Sequence, residues 1–159
     1  MSLLRFLMLL ALIVWIGGII FFAFVLAPTL FGVLPTTKLA GDVVNATLTK
    51  LHWMGLISGI IFLICSLLYN WQKYVQLRTF ALSHIFIVLM LAFTAYSQFS
   101  ISSRMRGLRS GPAWTHDALS SDFDEFNRLH EWSTRLEGGV LFLGLGVVIL
   151  TARRFESSR

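Results

Sequence analysis

The chain has 159 residues, of which 56% are hydrophobic and only 13% charged, and its mean hydropathy is +0.75. These values exclude an ordinary soluble domain and predict an integral membrane protein surrounded by a lipid bilayer. The net charge of +5 would suggest nucleic acid as a partner in a soluble protein. Here the cations flank apolar segments, as they do at membrane boundaries, so we expect no nucleic-acid partner. The single cysteine, Cys65, excludes an internal disulfide and a thiolate metal cluster.

Four apolar segments are long enough, or nearly long enough, to cross a bilayer, which requires roughly 20 helical residues. Charge-free runs cover residues 6–31, 51–72, 79–103 and 138–152. Their continuity excludes the alternating pattern of membrane β-strands. We therefore predict an all-α integral membrane four-helix bundle. It would form a single domain over residues 1–159, with spans at about 4–33, 48–72, 78–103 and 130–153.

The first span contains Trp15 in its middle, Gly17 and Gly18 beside it, and Pro28 in its last third. The glycines allow close packing, and Pro28 predicts a bend. The segment resembles a signal peptide because Arg5 precedes an apolar run. However, the run is too long for one, and Pro28 follows the only plausible cleavage site. We interpret it as a retained span.

The second and fourth helices are predicted to be longer than their membrane-embedded parts. Thr36 or Thr37 can cap the start of the second helix, and Ser121, followed by acidic residues, can cap the fourth. Both helices would extend beyond the bilayer on its outer side. The segment 104–120 contains two glycines and a proline, which indicates a loop at the membrane interface, with Trp114 as an anchor and His116 exposed.

The counts of basic residues on the two sides of the membrane are nearly equal. Six Lys and Arg residues lie on the side of the two termini and seven on the other side. The short, basic connection between the second and third spans and the basic C-terminal tail favour cytoplasmic termini. We therefore expect a protein of the bacterial inner membrane with both termini in the cytoplasm.

Polar residues that could support chemistry concentrate toward the outer side. Counting from the inner helix ends places His52 and His130 at nearly the same depth, close to the outer boundary of the hydrocarbon. Arg135 and Glu137 fall inside the fourth span, where a charge is costly. Glu131 and Arg135 are spaced i, i+4 with the acid first, which predicts a helix-stabilising pair. Glu137 and Thr134 are predicted to share a helix face with His130.

His52, Gly55 and Gly59 form one stripe on the second helix at spacings i, i+3 and i+7. One interpretation is a close helix–helix contact, with His52 hydrogen-bonded across it. The other is a ligand histidine above a space for a flat macrocycle or a small ion, with His130 as its partner. The sequence pattern leaves both interpretations open.

The segments "WIGGIIFFAFVLAPTLFGVLP", "LHWMG" and "FNRLHEWSTRLEGG" together resemble the transmembrane protein 205-like family, four-helix proteins that include a bacterial domain of unknown function. The resemblance covers nearly the whole chain. This family is distantly similar to copper-resistance D-type membrane proteins. The resemblance implies a four-helix fold and an association with copper or haem. The residues that carry it are Trp15, Gly17, Pro28, Phe31, Leu34, Pro35, His52 and His130.

Two functional hypotheses follow. In the first, the protein binds haem b or copper through His52 and His130, and the surrounding residues are Arg135, Glu137, Thr134, Gly55 and Gly59. In the second, it is a non-catalytic membrane subunit or scaffold. It would then contact a membrane protein partner, a second copy or anionic lipid through Arg104, Arg106 and Arg109. No nucleophile with an adjacent base stands out, which disfavours an independent hydrolase.

Overall fold

The computed structural model describes residues 2–72, 77–110 and 121–156, and its regular elements in these ranges are all helical. Four long helices follow one another along the chain. Helix 1 consists of an α-helix Ser2–Phe21, a π-helical turn Phe22–Leu26 and an α-helix Ala27–Val33. Helix 2 is the α-helix Thr37–Gln72, and helix 4 is the α-helix Ser121–Glu156. Helix 3 consists of an α-helix Leu77–Tyr96, a π-helical turn Ser97–Ile101 and an α-helix Ser102–Ser110.

Each of these four helices is long and apolar enough to cross a membrane. The predicted all-α membrane four-helix bundle is therefore confirmed. Helices 2 and 4 have 36 residues each, or about 54 Å at 1.5 Å per residue, whereas the hydrocarbon core is roughly 30 Å thick. They extend past the apolar zone at the end of the bundle opposite the two chain termini. We call that end the distal end and the other the terminal end.

The helices pack in the order 1, 2, 3, 4, and a contact between helices 1 and 4 closes the bundle. Helix 1 packs most extensively on helix 2, and helix 3 on helix 4. In the terminal half, the interior is filled by apolar side chains from all four helices. The largest fully buried ones are Met8, Leu12, Phe62, Ile87, Met90 and Val147. At the terminal end, Arg5 of helix 1 donates to the hydroxyl of Tyr69 on helix 2.

Pro28 is accommodated by the π-helical turn that precedes it. Proline has no N–H and its ring crowds the preceding turn, so a regular α-helix cannot continue unchanged through it. The backbone N–H of Ala27 instead donates to Phe22 O, five residues earlier, and the hydroxyl of Thr29 donates to Val25 O at 2.6 Å. These bonds satisfy backbone carbonyls that would otherwise be exposed to lipid.

Helix 3 extends further than predicted. Residues 104–110, predicted to begin an interfacial loop, are helical. Arg, Met and Leu have good helix propensity, and the arginines of this segment contact helices 2 and 4, so tertiary contacts outweigh the polar sequence. Trp114 and His116 lie outside the described residues. The predicted cap of helix 2 is confirmed, because Thr36 Oγ1 accepts from the backbone N–H of Leu39 at 3.2 Å.

Candidate functional site

His52 lies in the distal half of the bundle interior, and only 1% of its side chain is exposed. Its Nδ1 lies 2.8 Å from Oε1 of Gln98 on helix 3. Its Nε2 lies 2.6 Å from Oε1 of Glu137 on helix 4. One imidazole therefore links three helices through two short hydrogen bonds.

The π-helical turn of helix 3 brings Gln98 to this position. The turn is wider than an α-helical turn, and the N–H of Ser102 donates to Ser97 O, five residues earlier. Adjacent residues Ser97 and Gln98 are both buried, as are Ile101 and Ser102. A local π-helical turn often marks a functional segment. Here it directs an additional polar side chain into the bundle.

Glu137 completes the site from helix 4. Its side chain is 17% exposed, so the carboxylate borders the surface while its hydrogen-bonded oxygen reaches the buried imidazole. Ser133, one helical turn earlier, is buried, and its Oγ lies 3.3 Å from Oγ of Ser97. Ser133 and Glu137 thus form the face of helix 4 that meets the π-helical turn. The i, i+4 spacing of Ser133 and Glu137, opposite a polar run in helix 3, is the sequence signal for this contact.

The chemistry of the site depends on how many protons it holds. A carboxylate oxygen and an amide carbonyl oxygen can only accept hydrogen bonds. His52 can therefore donate to both only as an imidazolium, paired with the Glu137 carboxylate. If the Gln98 amide rotates by half a turn, its NH₂ group faces Nδ1 and fits a neutral ring. The same three side chains can accommodate either proton state of His52.

Trp15 of helix 1 occupies the stripe formed by Gly55 and Gly59. A Cβ added at Gly55 would collide with the indole nitrogen of Trp15, and one added at Gly59 would lie 2.6 Å from its ring. Trp15 is 2% exposed. The predicted close approach at these glycines is present, and it is made by an indole ring. The space considered for a flat macrocycle is filled by the protein itself.

His130 does not share the depth of His52, so the prediction of equal depth is wrong. Glu137, which bonds His52, lies seven residues beyond His130, or about 10 Å along the helix. His130 is exposed, and its ring is stacked on Phe126 with 6.3 Å between centroids. The prediction assumed that residues equally far from the inner helix ends lie at the same depth. The contacts between helices 2 and 4 set their relative axial positions, so this assumption does not hold.

Thr134 and Arg135 lie on the exposed face of helix 4, away from the buried imidazole. Arg135 donates to Glu131 at 2.6 Å, so the predicted i, i+4 pair is confirmed. The hydroxyl of Thr134 donates to the backbone oxygen of His130. Of the three residues predicted to surround the ligand on helix 4, only Glu137 contacts His52. It contacts His52 rather than His130, whose face it was predicted to share.

The three arginines predicted to contact lipid or a partner each have a contact within the chain. Arg104 pairs with Glu125 of helix 4 at 2.8 Å. Arg106 donates to the hydroxyl of Thr49 at 3.4 Å. Arg109 pairs with Asp42 at 3.2 Å and fills the space left by Gly41. These contacts fasten the distal end of helix 3 to helices 2 and 4, and lipid or partner binding by the arginines stays a prediction.

One further buried polar group lies close to the site along helix 3. Thr94, one turn before Gln98, is 1% exposed, and its Oγ1 has no hydrogen-bond partner among the described residues. As for metals, the described part of the chain contains no group of three or more His, Cys, Asp or Glu side chains that could hold an ion. Haem or copper binding stays a prediction.

Comparison with known proteins gives a family. The family model described as "Domain of unknown function (DUF4149)" matches residues 10–111. This range includes Trp15, His52 and Gln98 and ends before Glu137. No curated protein and no solved structure matches the chain, and the resemblance to transmembrane protein 205-like and copper-resistance D-type proteins stays a prediction. The matched range exceeds half of the chain, and the protein therefore belongs to the DUF4149 family, an uncharacterised family.

Proposed function

We propose that this integral membrane protein is proton-responsive, and that its His52–Glu137 pair binds and releases a proton. The observation that supports the proposal is the pair of short hydrogen bonds that join the two ring nitrogens of a buried histidine to Gln98 and Glu137 on two other helices. Histidine is the side chain whose ordinary titration range includes physiological pH. Ionisable groups inside a membrane domain are costly and usually functional.

Proton exchange takes place with the distal side. Glu137 is partly exposed there, so its carboxylate can pass a proton between the surface and the imidazole. Toward the terminal end the core consists mainly of large apolar side chains, and the buried polar residues there, Ser66, Ser83 and Thr151, do not ionise near neutral pH. The apolar side chains include Leu12, Phe62, Ile87, Met90 and Val147.

The proton state of the pair is coupled to the packing of helix 4. With His52 protonated and Glu137 ionised, an ion pair in a medium of low polarity holds helix 4 against helices 2 and 3. Loss of the proton leaves a carboxylate beside a neutral ring, and Gln98 must rotate to satisfy Nδ1. We therefore expect helix 4 to be held more tightly when the pair is protonated than when it has lost the proton to the distal side.

Nitrogen NMR of histidine-labelled protein in detergent or nanodiscs tests this proposal directly. We expect one histidine near neutral pH with protons on both ring nitrogens, and His52→Asn should remove that signal. In Glu137→Gln the same ring should be neutral at the same pH, because the imidazolium no longer faces a carboxylate. The matched controls are His130→Asn and Glu131→Gln, which should leave the His52 signal unchanged. A His52 ring that stays neutral while the other histidines titrate would overturn the proposal.

Haem b or copper ligated by His52 and His130 is the alternative from the sequence. Either ring nitrogen of His52 would have to exchange Gln98 or Glu137 for the metal, and Trp15 fills the space beside Gly55 and Gly59. The geometry therefore supports the proton-binding proposal over this alternative. An absorption spectrum and metal analysis of protein purified in mild detergent separate the two. A Soret band or stoichiometric copper, lost in His52→Ala, would replace the proton proposal.

We also propose the bacterial inner membrane, with both termini in the cytoplasm and the distal end outside. The support is the basic sequence around Lys73 and Arg78 and the basic C-terminal tail. A reporter enzyme active only outside the cytoplasm should be inactive when fused after Arg159. The same reporter inserted in the segment 111–120 should be active. The reverse pattern would place the proton-binding site on the cytoplasmic side.

A further inference from the structure

A groove between helices 1 and 2 opens on the outer surface of the bundle. Its volume is about 540 Å³, and nearly all of its lining is apolar. Two small buried residues, Ala11 and Ser58, form its floor, because neither fills the space between the helices. Exposed side chains of Leu10, Ile57 and Ile61 form its walls. The groove exists because Ala11 and Ser58 are smaller than the residues that surround them.

On helix 2 the groove matches one lipid leaflet in length and depth, and on helix 1 its apolar lining continues to Leu7, toward the terminal end. Along helix 2 it runs from Lys50 to Ile61, which is about 16 Å at 1.5 Å per residue. Half of a hydrocarbon core of roughly 30 Å has nearly the same thickness. Lys50 lies directly before the charge-free run that begins at Leu51, so its amine is at the depth of the lipid headgroups.

The distal end of the groove has the composition of a headgroup site. Lys50 supplies a positive charge, and Trp53 lies beside it. Tryptophan is enriched at the membrane–water interface, where its ring contacts acyl chains and its N–H contacts polar groups. Trp53 is supported from helix 3 by an edge-to-face contact with Phe99, with 5.9 Å between ring centroids. The charge at this end complements a phosphate.

We propose that this groove binds one anionic glycerophospholipid of the distal leaflet, with its phosphate on Lys50 and one acyl chain along Ala11 and Ser58. The lining beyond Lys50 and Trp53 is almost entirely apolar and excludes the headgroup, so the lipid can bind in only one direction. The site is separate from His52, because the groove opens between helices 1 and 2 on the outer surface, whereas His52 faces helices 3 and 4 in the interior. The proposal therefore does not depend on the proton-binding function.

Lipid titration monitored by native mass spectrometry tests the headgroup contact. Protein in a non-ionic detergent is titrated with phosphatidylglycerol or with phosphatidylcholine. We expect the anionic lipid to bind about fivefold more tightly, as one lysine near an anionic lipid predicts. Lys50→Gln should abolish this preference. Lys38→Gln, a matched loss of charge at the same end but outside the groove, should retain it.

Filling the floor tests the acyl-chain contact. Ala11→Leu should reduce the binding of both lipids, whereas Ala92→Leu, at an exposed position of helix 3, should not. Thermal unfolding of each variant verifies that it is folded. The proposal is overturned if wild-type protein retains neither lipid, or if Lys50→Gln preserves the full preference. It is also overturned if a second polypeptide protects the groove while lipid has no effect.

Discussion

The two halves of the bundle interior are filled by different kinds of side chain. The terminal half is filled mainly by large apolar side chains such as Leu12, Phe62 and Met90, and its buried polar side chains, such as Ser66 and Thr151, carry no ionisable group near neutral pH. The distal half contains His52, Gln98 and Glu137 in one hydrogen-bonded set, with a serine pair nearby. Apolar side chains would have filled the distal half at lower energetic cost, because buried polar groups must be paired. This difference is the reason that we propose the distal half as the functional site.

The halves also differ in helix geometry. In helix 3 the π-helical turn Ser97–Ile101 lies in the distal half, whereas the terminal half of that helix is regular. In helix 1 the π-helical turn has a different origin, because Pro28 follows it. Helix 3 contains no proline among its described residues, so its irregular turn is explained by the contacts of Ser97 and Gln98.

Removing the imidazole of His52 should lower the stability of the protein more than any other change in the distal half. His52→Ala creates a cavity and leaves Glu137 and Gln98 without their partner, and we expect a loss of about 2–4 kcal/mol in the free energy of unfolding. Reversible unfolding in mixed detergent micelles measures it. His130→Ala, at an exposed position, should change the value by about 0.5 kcal/mol or less. Equal effects of the two substitutions would contradict the distinction between a buried and a surface histidine.

Adding a side chain within the glycine stripe of Gly55 and Gly59 should have the next largest effect on stability. Gly55→Ala places a Cβ against the Trp15 indole, and overpacking of this kind costs about 1–3 kcal/mol. The same unfolding measurement gives the value. Gly138→Ala is the control, because an added Cβ there meets no described atom within 4 Å. If both variants are as stable as the wild type, helix 1 does not pack on helix 2 through Trp15.

Neutralising the carboxylate should have a smaller but measurable effect. Glu137→Gln retains the size of the side chain but removes the charge from the bond to His52, with an expected loss of about 1–2 kcal/mol. Glu131→Gln removes the same charge from an exposed pair and should cost about 0.3–0.5 kcal/mol. A double-mutant cycle with His52→Asn measures the coupling. Zero coupling energy between positions 52 and 137 would mean that the bond adds nothing to stability.

The serine pair should contribute least. Ser97→Ala removes a hydroxyl that lies 3.3 Å from Ser133, and hydrogen bonds between membrane helices average about 0.6 kcal/mol. The unfolding measurement should find a loss of that size, and Ser133→Ala should produce no further loss in the double variant. Losses that simply add would show that the two hydroxyls act independently.

Several features of the fold were predictable because they depend on local patterns. The four helices follow from uninterrupted apolar runs, the cap at Thr36 from a side-chain oxygen before the first turn, and the Glu131–Arg135 pair from i, i+4 spacing. Each depends on residues close together in the chain. The helical continuation through residues 104–110 was not predictable in this way, because Arg104, Arg106 and Arg109 are held by residues far away in sequence.

The candidate site was predicted only in part, for the same reason. His52 and Glu137 were recognisable as polar residues within apolar segments, but the sequence pattern suggested His130 as the partner of His52, whereas Glu137 bonds to it. The relative axial position of two helices is not a property of either sequence, and a shift of two turns exchanges His130 for Glu137 beside His52. Gln98 was overlooked as a partner because a regular α-helix gives no reason for it to face inward together with Ser97.

Sequence by itself thus determined the membrane environment, the number of helices and the concentration of polar groups in one half of the chain's interior. Hydrophobicity, charge and helical spacing act over a few turns and can be counted directly. Only the tertiary structure decided which polar residue bonds which, that Trp15 fills the glycine stripe, and that a groove remains between helices 1 and 2. These outcomes depend on how four helices are shifted and rotated against one another, which is set by packing over the whole bundle.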